Sequence, residues 1–168
     1  MGCDIHLYVE NQDSAGCWWK CNEGFRSTYY DPKHHYFKED QFKNGDQPYG
    51  GRNYTVFAYL ADVRNSGGSV ESYCDPKGFP EDGSLANKEE YEKCGRDAHS
   101  ASWFTLKELK DAYKVAKANK SSHVDLGRYV SHFFNHVIRQ LNNWQKKSYC
   151  GGDKQTDDNI RVVFWFDN

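Results

Sequence analysis

Over positions 3 to 10 hydrophobic and polar residues alternate. Cys3, Ile5, Leu7 and Val9 fall on one side of an extended chain, and Asp4, His6, Tyr8 and Glu10 fall on the other. This period of two predicts a β-strand. Asp13-Ser14-Ala15-Gly16 reads as a turn and Cys17-Trp18-Trp19-Lys20-Cys21 as a returning strand, so the N-terminus is expected to be a hairpin. The same alternation returns at the other end, where Ile160, Val162, Phe164 and Phe166 supply the apolar face of a strand running to Asp167.

Between these strands the period changes to that of a helix. A short helix is expected within Arg52 to Asn65, with Val56, Phe57, Leu60 and Val63 on its apolar side and Asn65-Ser66-Gly67-Gly68 ending it. A second short helix is expected over Lys88 to Lys93. Thr105 and Glu108 have the spacing of a capping box that opens a helix carrying Leu106, Leu109, Tyr113 and Ala116. The longest helix runs from about Asp125 to Lys147. Leu126, Val130, Phe133, Val137, Leu141 and Trp144 share one side, and Arg128, His132, Arg139 and Asn143 share the other. From Gly24 to Gly51 neither period holds, and Pro32 and Pro48 break any regular element, as in loops that serve a site.

These elements define an α+β domain spanning residues 1–168. Its small, mainly antiparallel sheet consists of the N-terminal hairpin plus the C-terminal strand, with the first and last strands as neighbours. Helices cover one face, and the loops are long and irregular.

Composition narrows the function. The 168 residues carry a formal net charge of -2, so no global field draws in duplex nucleic acid, and phosphate binding has to be local. No run of about 18 apolar residues exists for a membrane span, and the N-terminus lacks the basic and apolar regions of a secretion signal. The expected compartment is the cytoplasm. The six cysteines are then expected as reduced thiols, and no second Cys or His pair completes a zinc site with Cys17 and Cys21. Five Trp, twelve Tyr and ten Phe are enough for an aromatic core with stacking surfaces left over.

The candidate chemistry begins with Asp4, His6 and Tyr8 in one row. A carboxylate two residues from an imidazole on one strand face can share a metal ion or fix the tautomer of the histidine. A second Asp-x-His occurs at Asp97 and His99, followed by Ser100, Ser102 and Trp103 ahead of the capped helix. If the fold joined them, Asp4, His6, Asp97 and His99 would form a mixed nitrogen and oxygen site for a divalent metal. Arg52-Asn53 and Arg64-Asn65 bracket the short helix, and arginine offers the forked donors that suit phosphate. His132 and His136 are one helical turn apart but lack the surrounding metalloprotease pattern, and His34-His35 lies in the irregular stretch. No phosphate-binding loop, dinucleotide fingerprint or nucleophile elbow is present.

Three stretches add a resemblance. They are Met1-Gly2-Cys3-Asp4-Ile5-His6, Gly51-Arg52-Asn53-Tyr54 with Leu60-Ala61-Asp62-Val63-Arg64-Asn65, and Asp97-Ala98-His99-Ser100-Ala101-Ser102-Trp103. Taken in order, they resemble a family of small proteins encoded by phages and prophages. The resemblance implies a phage accessory protein acting in the host cytoplasm, often against host defence, and it carries over no catalytic residue.

Three functions follow as expectations. The first is a binding protein that sequesters a small nucleotide-derived, phosphate-containing ligand such as a host immune signal. It would use Asp4, His6, Tyr8, Arg52, Asn53, Arg64, Asn65, His99, Ser100, Ser102 and Trp103. The second is a metal-dependent hydrolase of the phosphodiesterase kind, built on Asp4, His6, Asp97 and His99. The third is an inhibitor that docks on a host protein through exposed aromatics. The oligomeric state is not encoded in any of these patterns.

Overall fold

The fold is described from a computed structural model, for residues 2–22, 24–25, 45–119, 125–147 and 155–168. The expected loop from Gly24 to Gly51 lies mostly outside these residues, as do His34-His35 and the segment 148–154.

Four strands form one antiparallel sheet. β1 (Asp4–Gln12), β2 (Trp18–Lys20), β3 (His99–Thr105) and β4 (Ile160–Asp167) lie in the order β2-β1-β4-β3. β1 and β4 pair along their length, from Asp4 opposite Asp167 to Asn11 opposite Ile160, so the first and last strands are neighbours as the alternation predicts. The hairpin turn is held by Asp13, whose carboxylate accepts the backbone N–H of Ala15 and Cys17 and the indole N–H of Trp19.

β3 is the strand the sequence pattern does not announce. Its register against β4 shifts between His99 and Ser102, and Ser100 sits at φ 51°, so a bulge interrupts the alternation that would have marked it.

Four α-helices are found among the described residues: α1 (Tyr54–Ala61), α2 (Leu85–Cys94), α3 (Leu106–Ala118) and α4 (Leu126–Lys147). Asn53 caps α1 by accepting the N–H of Thr55 and Val56. Asp62, in the left-handed region, ends it by donating its N–H back to Ala58 and Phe57. The Thr105 to Glu108 capping box of α3 is present in both directions. α3 and α4 form a helical hairpin whose apolar sides (Leu109, Ala112, Ala116; Val130, Phe133, Val137, Leu141) are buried against the sheet residues Leu7, Val9, Val162 and Phe164.

The opposite face of the sheet is also covered. Tyr8 and Trp165 are buried there beneath Phe79, Tyr91, Cys94 and Ala98, contributed by α2 and its flanking segments. Further along, Glu10 and Arg161 form a fully buried pair at 2.8 Å. The Glu10 carboxylate also accepts the Ser84 N–H and hydroxyl and the Asn87 amide, which fastens the start of α2 to the sheet. The polar row of the first strand is therefore largely an internal surface. Among the described residues, no helix is long and apolar enough to cross a membrane.

Candidate functional site

The structure gathers part of the predicted site at one end of the sheet. Arg52 binds the Asp4 carboxylate with both arms of its fork, and His6 Nε2 lies 2.9 Å from Asp167 Oδ2 while its ring stacks on Trp165. Arg64 reaches the same place from the far end of α1, 2.9 Å from Asn168 Oδ1 and 3.5 Å from the Gly2 carbonyl. The two arginines that bracket α1 in sequence thus converge on the end of the sheet where β1 begins and β4 finishes. Their placement depends on unusual backbone. Asp62, Arg64 and Ser100 are the non-glycine residues with positive φ among those described, and all three lie around this end.

Electrostatically the end is balanced. The Arg52 guanidinium holds the Asp4 carboxyl below its usual range, and Arg64 partly opposes the upward shift that burial imposes on the Cys3 thiol. Arg52 faces Asp4, His6 faces Asp167, and these hydrogen bonds are made within the protein.

Other predicted residues have structural tasks. Tyr8 is buried against Trp165, with its hydroxyl accepting from Gln47, and burial pushes its pKa up to about 12. Asn53 is the α1 cap and donates to the Tyr129 carbonyl, and Asn65 ties Asp62 to Val70. Ser102 is buried and accepts the Lys77 N–H. Trp103 lies under the Lys77 ammonium at 4.1 Å, with the Arg161 guanidinium at 5.3 Å.

The metal quartet is not brought together. His99 pairs with Phe166 in register and stacks on its ring, which puts it on the face covered by α1, α3 and α4, opposite His6. Asp97 lies in an exposed turn ahead of β3. No group of three or more His, Cys, Asp or Glu side chains among the described residues is arranged to hold a metal ion. His99 Nδ1 lies 3.1 Å from the Ser100 hydroxyl, and its buried Nε2 has no partner among the described residues.

The site that sequence reasoning missed lies on the outside of the helical hairpin. A groove of about 1020 Å³ runs between α3 and α4, lined by Lys110, Lys114 and Lys117 from one helix and by His132, Asn135, His136, Arg139, Asn142, Asn143 and Lys146 from the other. None of the described residues lining it is acidic. Its floor is Tyr113, stacked on Phe134 at 5.1 Å, with the Lys117 ammonium 4.4 Å from the Tyr113 ring. Two of the lysines are steadied from outside: Lys110 by Asp157 at 2.6 Å and Lys114 by Asp111 at 2.8 Å. Burial pushes the Asp157 carboxyl upward, but the hydrogen bonds from Lys110 and Gln145 outweigh it and the net shift is down.

The helices run antiparallel. Gly127, at the start of α4, packs on Lys117 at the end of α3, while Asp157 joins Lys110 to Gln145 at the other end. Cations therefore face each other across the groove. The signal was present in the sequence as the polar stripe with His132, Arg139 and Asn143, but a solvated helix face has the same pattern. Only the pairing with Lys110, Lys114 and Lys117 turns that stripe into a wall.

A smaller cleft of about 750 Å³ lies between the hairpin and α2, where Trp18, exposed Trp19 and exposed Leu85 meet.

No protein-family model, curated protein or solved structure matches the chain.

Proposed function

We propose that the protein binds a small phosphate-bearing, nucleotide-derived ligand, and that the groove between α3 and α4 holds it. The observation that carries this reading is the local charge: Lys110, Lys114, Lys117, Arg139 and Lys146 line one concave surface, without a carboxylate among its described lining, in a chain whose net charge is -2. Single-signed clefts concentrate ligands of opposite charge. Phosphate suits lysine as a point charge and arginine as a fork. The amides of Asn135, Asn142 and Asn143 offer both donors and acceptors for a base edge, and Tyr113, His132 and His136 offer flat rings. At the end of the sheet Arg52 is paired with Asp4 and His6 with Asp167, whereas in the groove carboxylates among the described residues pair with Lys110 and Lys114 and leave the charges of Lys117, Arg139 and Lys146 to the cleft.

Among the described residues lining the groove no nucleophile is hydrogen-bonded to a base, and the reading is capture rather than turnover. The resemblance to phage proteins extends it to sequestration of a host signal in the host cytoplasm. The hydrolase reading draws no support from the placement of Asp4, His6, Asp97 and His99.

The test is a thermal-shift panel of nucleotides and the corresponding nucleosides, followed by chromatography of the released ligand. Stabilisation by nucleotides alone, with intact recovery, is the expected result. Equal stabilisation by nucleosides, or a product peak, contradicts the reading.

A further inference from the structure

The cations of the groove are spaced as a ladder. Lys110, Lys114 and Lys117 mark successive turns of α3, and Arg139 and Lys146 stand two turns apart on the antiparallel wall. A helical turn rises about 5.4 Å, so the wall from His132 to Lys146 extends for about 21 Å. A nucleoside polyphosphate has phosphates that share bridging oxygens, and it would occupy one rung. A chain of phosphodiesters places a sugar between successive charges, a separation comparable with one helical turn, and it would meet all the rungs. Rings accompany the ladder: His132 and His136 stack on each other at 6.1 Å, and Tyr113 lies between the walls. Stacking of this kind is indifferent to base identity.

Building on the proposed groove, we infer that its occupant is a short single-stranded oligonucleotide, with about three consecutive phosphates on the three rungs, where they take the place of Asp157 on Lys110 and of Asp111 on Lys114. Duplex nucleic acid does not fit this reading, because its bases are turned away from the rings.

Fluorescence anisotropy with a labelled oligothymidylate series of one to six nucleotides tests it, with ADP, ATP and a polyglutamate peptide as competitors. Affinity is expected to rise over the first three or four nucleotides and then level off. About three neutralised phosphates give a slope near -2 in log affinity against log salt. Lys114→Gln combined with Arg139→Gln, both exposed positions, should weaken the tetranucleotide at least tenfold and flatten that slope. Far-ultraviolet circular dichroism checks that the variant is folded. If ADP or ATP competes as well as the tetranucleotide, the ladder inference falls and the nucleotide groove stands. If polyglutamate competes equally, the ladder inference falls because the groove reads charge alone. If neither nucleotides nor oligonucleotides bind, both readings fall.

Discussion

Arg161 Nε sits 2.8 Å from Glu10 Oε2, with both side chains essentially sealed from solvent and the Arg161 guanidinium 3.9 Å from the Trp18 ring. The two residues face each other across β1 and β4. The Ser84 and Asn87 donors on Glu10 extend the pair to the cap of α2. Arg161 also reaches Asp82 at 2.8 Å, so removing Arg161 rather than Glu10 is what leaves a buried charge with no opposite charge beside it among the described residues, at a cost of about 3–5 kcal/mol. Arg161→Met should therefore lower the unfolding free energy by about 3–5 kcal/mol, read as a fall in the urea midpoint at unchanged m-value. Adding Glu10→Met to it should recover part of the loss, a non-additivity that a double-mutant cycle reads directly.

The width of the groove is set at Gly127. A Cβ there would lie 2.9 Å from the Lys117 Cα and 3.2 Å from the Ala116 carbonyl oxygen, both backbone atoms that cannot swing aside. Gly127→Ala should force the helices apart and cost about 1–3 kcal/mol by overpacking. Denaturant melting checks the cost. Weaker ligand binding in the folded variant would show that the helix spacing matters to the site.

Alkaline unfolding should begin early. Burial raises Tyr8 and Tyr59 from 10.0 to about 12, and the Tyr59 hydroxyl donates to the Ala112 carbonyl at 2.7 Å. Between pH 10 and 12 the unfolded chain has released protons that the folded protein retains, so stability falls as pH rises through that window and is fully present below it. Urea midpoints from pH 9 to 12 should decline through this range. Tyr59→Phe should start less stable and decline less.

Strands β1 and β4, the capping box at Thr105 and the long helix were legible because a strict period of two or 3.6 survives in the sequence wherever one face is buried. β3 was not, because the bulge at Ser100 breaks its alternation. The polar row from Asp4 to Glu10 is unusual for an outward strand face, and such a row reads the same in sequence whether water or another layer meets it. Here Trp165, Tyr91 and the α2 cap meet most of it. The convergence of Arg52 and Arg64 was foreshadowed by their positions at either end of α1. The groove depends on which faces of α3 and α4 lie side by side, a tertiary relationship that neither helix carries alone.

The location of binding is the most direct question. Calorimetric titration of one phosphate-bearing nucleotide into two double variants, Arg139→Glu with Lys146→Glu in the groove and Arg52→Gln with Arg64→Gln at the sheet end, separates the two places. Charge reversal in the groove is expected to weaken binding at least tenfold, about 1.4 kcal/mol or more, and the sheet-end pair to leave it within a factor of two. Unchanged binding by the groove variant, with loss in the sheet-end variant, would contradict the account.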